Sequence, residues 1–241
     1  KMASIPVSTY WNSTNTATDG SAKSYIPEIP WNDSCSGYLL YNYEGKSAGY
    51  GSSGECASST FRSTATGSGG PSSCATGGGG TDQTSYAIAD GTCAGYAKPS
   101  WQSGIAGNPA DGVRDIPDVS LFASNGMWGH YVVVCFSDTT QGGSSCAGAP
   151  STWAGFGGTS VSAPLMADIQ ALVNQKWNLA SVGNPNPTYY AIAKSEFGSG
   201  GNSSCYSINQ PPRAGLASSC VFYDITQGDN DIDCLNNGSR S

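Results

Sequence analysis

The densest chemical potential of this 241-residue chain lies in Gly157-Gly158-Thr159-Ser160, followed by Ala163-Pro164. A hydroxyl nucleophile needs an exposed position at a sharp bend, where glycines let backbone and substrate approach closely. If a helix begins at that bend, its first N–H groups and positive dipole end face the charge of a developing oxyanion. Ser160 is then the attacking group, with Gly158 and Thr159 in the substrate or oxyanion vicinity. Ser and Thr are also the commonest helix N-caps, so the bare motif leaves a capping role open beside the catalytic one.

The other residues that could do chemistry are sparse. A Ser-His-Asp enzyme needs a positioned imidazole. This chain has one histidine, His130, in WGHYVVV at the mouth of an apolar run, and it reads as a partly buried polar residue beside aromatics. Nine cysteines, at 35, 56, 74, 93, 135, 146, 205, 220 and 234, form no C-x-x-C pair, and one histidine cannot complete a zinc cluster. They read as disulfides of an oxidising compartment, with local pairs such as Cys135–Cys146 or Cys205–Cys220 and one cysteine left over or paired with a segment outside this chain. Asp115 and Asp118 flank Pro117. An Arg114–Asp115 surface contact is the simpler reading of the first, and Asp118 stands between lining a cleft and closing a strand end. Asp229, Asp231 and Asp233 lack the Gly and Glu positions of an EF-hand and read as a solvated acidic loop. Trp11, Trp31, Trp101, Trp128 and Trp153 could form a sugar platform, although buried aromatics are the commoner use.

The elements that must position Ser160 lie after residue 112. Ile116–Ala123 (IPDVSLFA) and Tyr131–Phe136 (YVVVCF) read as buried strands, apolar on both faces, which suggests a parallel sheet covered by helices. The helix from Ser160 to about Trp177 carries Val161, Pro164, Leu165, Ile169, Leu172, Val173 and Trp177 at helical spacing, with Pro164 placed in the first turn. A second, short helix is expected over Thr188–Lys194. Residues 1–112 are mostly irregular; Pro27 and Pro30 keep YIPEIPW extended, and 51–82 reads as a long surface loop pinned by Cys56 and Cys74. Length suits a single domain.

Only 11% of residues are charged, 33 are glycine, and the formal net charge is −7. That balance excludes the basic footprint of a nucleic-acid binder and does not suit an anionic membrane surface. With so few cationic residues, the chain gains little positive charge in acid, so low pH brings modest self-repulsion. No apolar run near membrane-span length and no signal peptide is present; a secreted chain of this kind is expected to have been processed. Sequons at Asn12, Asn32, Asn202 and Asn237 carry little weight, because such motifs arise by chance in a Ser-rich chain.

From Lys98 to Gln175, the stretches KPSWQ, RDIPDVSLFA, WGHYVVVC and GGTSVSAPLMADIQALVNQ resemble the nucleophile half of the sedolisin, or serine-carboxyl peptidase, family. SYIPEIPWNDSC at 24–35 resembles the stretch upstream of it. The resemblance implies a subtilisin-like α/β fold, with a mostly parallel sheet flanked by helices and long disulfide-pinned loops. It also implies acid-active, secreted proteolysis of protein or peptide substrates by a Ser-Glu-Asp triad and an acyl-enzyme. A carboxylate base fits a working pH of about 4 rather than neutrality, which agrees with the lack of a usable histidine. The family's Glu and Asp, four residues apart, and its Ser-Gly-Asp oxyanion turn have no counterpart here. The glutamates at 28, 44, 55 and 196 lack an Asp four residues on. Only Ser160 carries over. Phe222-Tyr223-Asp224-Ile225-Thr226 resembles the start of the family's structural calcium site, with the Asp224 side chain and Ile225 carbonyl as ligands, and the rest of that site is absent from the sequence. The expectation is a part of a catalytic domain that stays with complementary N-terminal and C-terminal chains of one precursor. Two rivals remain: a catalytically dead module of the same fold used for binding or structure, and a secreted carbohydrate-binding protein.

Overall fold

The computed structural model describes residues 7–17, 20–58, 63, 65–72, 95–123, 131–148, 153–209, 220–232, 235–236 and 239–240. In chain order its α-helices are α1 (Tyr38–Tyr43), α2 (Glu55–Ser58), α3 (Thr159–Lys176) and α4 (Asn186–Phe197). Its strands are β1 (Gly70–Pro71), β2 (Asp115–Ile116), β3 (Val132–Val134), β4 (Ala154–Phe156), β5 (Leu235–Asn236) and β6 (Ser239–Arg240). The chain divides into two compact units: Lys1–Ile29 with Gly70–Ile116 and Asn184–Gln227, and Pro30–Gly69 with Pro117–Gly183 and Gly228–Ser241.

The first unit contains β1 paired antiparallel with β2, and α4 packed on the short 3-10 turn Ser100–Gln102. Pro187 sits at the start of α4, where no intrahelical bond is missed, and Gly198 (φ 61°) ends the helix. This helix begins before and ends after the expected Thr188–Lys194. Gln102 is fully buried; its amide bonds the Asp115 backbone on both sides and the Tyr190 hydroxyl, tying turn, strand and helix together. Cys205 and Cys220 are joined as the local spacing suggested.

The second unit holds β3 against β4 (Val132↔Phe156, Val134↔Ala154), antiparallel, with Cys135–Cys146 closing the connection between them. The central Gly155 leaves room for the Tyr131 ring: a Cβ there would meet Tyr131 Cγ at 2.9 Å. Cys56 is bonded to Cys35, not to Cys74, and Cys74 lies outside the described residues with much of 51–82. α3 is the longest element. It follows Gly158, whose φ of 92° is favourable only for glycine, and it ends in a Schellman motif. There Asn178 takes φ 54°, and the Leu179 and Asn178 N–H groups return to the Asn174 and Gln175 carbonyls.

Three expectations need correction. Each ladder among the described strands is antiparallel, and 117–123 forms no strand, so the parallel sheet is not what the described residues form. The apolar residues meant to be buried are open: Val133 is 51% exposed, Leu172 64% and Trp177 68%, and only Val161 of α3 is buried. Pro164 is the sixth residue of α3, in its second turn, so it withholds an N–H from the Ser160 carbonyl. The buried apolar residues among those described are Cys35, Leu40, Cys56 and Val161 in one unit and Cys205 and Cys220 in the other. Cystines and buried polar networks do much of the holding. The chief network joins Asn32, Ser34 and Ser36, all 6% exposed or less, to the Asp231 carbonyl at 2.7, 3.2 and 2.6 Å.

Candidate active site

Ser160 is the second residue of α3, exposed on its first turn. Two anchors fix that turn. The Gly158 N–H donates to the Ala123 carbonyl, and the Ser162 hydroxyl donates to the carbonyls of Leu121 (3.2 Å) and Phe122 (3.3 Å). The run 121–123 is thus the rail that holds the Gly-Thr-Ser bend, a role its apolar sequence did not announce. The left-handed Gly158 leads directly into the helix, and Val161 N–H closes back on its carbonyl at 2.9 Å. Thr159 and Ser160 N–H belong to the first turn, which no intrahelical carbonyl serves, and no side chain caps it. The Ser160 hydroxyl makes no hydrogen bond with any described residue. An exposed hydroxyl beside uncapped N–H groups can attack a carbonyl and place the resulting oxyanion at the positive end of α3.

Glu28 and Glu196 are engaged away from Ser160. Glu28 accepts from the Tyr25 hydroxyl at 2.5 Å, beside the fully buried Ser207, and burial raises its pKa against the opposing effect of that bond. Both Glu196 oxygens receive backbone N–H groups, from Val221 and from Phe222, the latter at 3.0 Å. Glu55 is buried in α2, and Glu44 is the exposed C-cap of α1. The Asp115 carboxylate does not pair with Arg114, which donates to the Asp115 carbonyl instead. Its partner is Lys98, whose ammonium lies 2.6 Å from it and 3.0 Å from Asp111, while the Arg114 guanidinium sits 5.1 Å over the Trp101 ring. Asp118 is half-buried at the foot of the 119–123 run. His130, Trp128 and Asp233 lie outside the described residues.

Asp224 and Ile225 belong to the first unit. The Asp224 backbone is engaged, its N–H to Cys205 O and its carbonyl from Ser207 N–H, both at 2.8 Å. Its carboxylate accepts no hydrogen bond from a described residue, and burial raises its pKa. A cation would relieve that desolvation. Among the described residues, however, no group of three or more His, Cys, Asp or Glu side chains gathers to hold a metal. Asp224 and Ile225 thus do not make a calcium site by themselves, since that ion wants six or more oxygens. The Asp229–Asp231 loop is exposed, yet it is held both at the Asp231 carbonyl and at the Asp229 carboxylate. Asp229 Oδ1 accepts from Asp231 N–H (3.1 Å), and Asn32 reaches it as well. Of the described tryptophans, Trp101 packs on Tyr190 at 5.0 Å, and the indole N–H groups of Trp31 and Trp153 are buried.

No family model matches this chain, and no solved structure does. Among curated proteins, the chain is similar to kumamolisin from Bacillus sp. (strain MN-32), with 32% identity over 142 residues. That alignment takes in 57% of this chain and 18% of kumamolisin, so the chain spans less than a fifth of the relative's length. The partial match supports a sedolisin-like relationship and, at that level, a peptidase.

Proposed function

We propose that this chain is the nucleophile-bearing part of a secreted, acid-active serine-carboxyl peptidase. The observation that carries the reading is the exposed Ser160 on the uncapped first turn of α3, immediately after a left-handed glycine. The partial similarity to kumamolisin supports it. In this reading the Ser160 oxygen attacks the scissile carbonyl of a protein or peptide substrate, with Gly158 and Thr159 beside the oxyanion. The acyl-enzyme so formed is released by water. The general base Glu, its partner Asp and the oxyanion Asp would come from a complementary N-terminal chain of the same precursor, since no described carboxylate bonds the Ser160 hydroxyl. The mostly parallel sheet of a subtilisin-like fold belongs to that assembly. A structural calcium ion would take the Asp224 carboxylate and the Ile225 carbonyl together with oxygens of a C-terminal chain. The three disulfides among the described residues, and the absence of any described helix long and apolar enough to cross a membrane, agree with an extracellular protein.

The test has two steps. Intact-mass measurement, non-reduced and then reduced, asks whether further chains accompany this one and whether one holds Glu-x-x-x-Asp and Ser-Gly-Asp. The same sample is then labelled with a peptide aldehyde at about pH 4, where a carboxylate base is ionised, beside its Ser160→Ala variant. Label that vanishes in the variant supports the reading; equal labelling of both, or none in either, sinks it. The rival of an inactive binding module draws on one observation, that no described carboxylate bonds the Ser160 hydroxyl, and an accompanied yet unlabelled Ser160 is its signature.

A further inference from the structure

The structure separates the N-x-Ser/Thr sequons that composition alone could not. Asn32, first residue of Asn32-Asp33-Ser34, is 6% exposed. Its Nδ2 donates to the Asp231 carbonyl at 2.7 Å and lies 3.3 Å from the Asp229 carbonyl. Its Oδ1 accepts from Ser34 N–H (2.9 Å) and Ser34 Oγ (2.6 Å). A sugar on that buried nitrogen would break this network and leave its buried groups unpaired. In Asn202-Ser203-Ser204 the amide is committed as well. Nδ2 donates to Glu196 O (3.0 Å) and toward Cys205 Sγ (3.6 Å), and Oδ1 caps Ser204 N–H at 3.1 Å. Both amides are structural parts.

Asn12-Ser13-Thr14 is built the opposite way. Its backbone is held: Asn12 N–H donates to Ser21 O at 2.8 Å, Trp11 bridges Ala22, and Lys23 N–H returns to Tyr10 O at 2.7 Å. The sequon therefore sits where the chain leaves the Trp11–Ala22 bridge. Asn12, Ser13 and Thr14 are all exposed, and the Asn12 side chain makes no hydrogen bond with a described residue. We propose that Asn12 is an N-glycosylation site, and that Asn32 and Asn202 are not modified in the folded protein. The donor is an oligosaccharide linked through diphosphate to a lipid. Asn12 Nδ2 attacks the anomeric carbon and forms the C–N bond, the C–O bond to the diphosphate breaks, and the lipid diphosphate leaves. The Nδ2 proton passes to a base of the transferase. Sugar transfer precedes folding, so a chain that receives sugar on Asn32 cannot close its Asp231 network and is lost before secretion. This inference does not depend on the peptidase reading.

The experiment is secretion of the full chain from a yeast host. Enzymatic deglycosylation in heavy-oxygen water, followed by peptide mapping, then scores each asparagine by the label left at sugar-bearing sites. The expected result is label at Asn12 and none at Asn32 or Asn202. The Asn12→Gln variant should lose the Asn12 glycan mass completely and be secreted with an unchanged circular-dichroism spectrum. An unlabelled Asn12 in the secreted protein, or label at Asn32 or Asn202, overturns the proposal. Circular dichroism of the Asn32→Gln variant gives a second check. A native-like spectrum at wild-type yield would show that the Asn32 amide is dispensable and remove the reason for its exclusion.

Discussion

Replacing Gln102 with leucine is the sharpest test of how the first unit is held. The two side chains are close in size, so the change removes polar atoms rather than volume. Gln102 is 0% exposed, and its amide makes three side-chain bonds: to Asp115 O at 2.8 Å, to the Tyr190 hydroxyl at 2.7 Å, and from Asp115 N–H at 2.9 Å. After substitution the Asp115 N–H loses its acceptor. The Asp115 carbonyl keeps the Arg114 guanidinium, so its loss is smaller. At about 1–3 kcal/mol for each buried group left unsatisfied, the sum is about 3–5 kcal/mol, a large part of the roughly 5–15 kcal/mol that holds a typical domain. Urea unfolding followed by tryptophan fluorescence should show a lower midpoint at unchanged slope. Tyr190→Phe removes one of the same bonds and should cost about 1 kcal/mol. The double variant should cost less than the sum, because both singles delete that shared bond. A Gln102→Leu cost below about 1 kcal/mol, or one no larger than that of Tyr190→Phe, refutes the reasoning.

Ser162→Ala should destabilise by about 1 kcal/mol through loss of the bonds to Leu121 and Phe122, whereas Ser160→Ala should stay within about 0.5 kcal/mol; parallel thermal melts of the two neighbours check this. Burial raises the folded-state pKa of Glu28, so its contribution is fully present below the unfolded value of about 4.3 and is lost as pH rises through the folded value. Glu28→Gln should therefore flatten the fall in stability on that alkaline side, and a variant whose melting profile follows the wild type across pH contradicts the assignment. Removing the Cys35–Cys56 link by double alanine substitution frees a loop with sequence separation 21. The chain-entropy cost is about 3 kcal/mol, read as a drop in denaturation midpoint under non-reducing conditions.

The bend at Ser160 was legible because it rests on local chemistry: a glycine able to take φ 92°, small hydroxyl residues and an apolar helix behind them. The close cysteine pairs 135–146 and 205–220 were legible for the same reason, and Cys35–Cys56 was not, since Cys56 had a rival partner nearby in sequence. The sheet misled because Tyr131–Phe136 declares itself a strand without declaring its neighbour. The actual partner is Ala154-Gly155-Phe156, whose central glycine carries little strand preference. Polar residues at the centre were invisible for a different reason. Gln102, Ser207, Asn32, Ser34 and Ser36 belong to types that are mostly exposed, and only their partners, from 13 to 199 residues away, draw them inside.

The knot at Asp231 also sets how the sequence is free to drift. Three side chains, from Asn32, Ser34 and Ser36, converge on an atom that every amino acid possesses, the main-chain oxygen of residue 231. The burden of keeping that arrangement therefore falls on one side alone. Positions 32, 34 and 36 are tied to their chemistry, whereas 231, with its carboxylate in solvent, can exchange its side chain at little cost. Random mutagenesis selected only for folding should empty the substitution spectrum at the three donors and leave that of residue 231 broad.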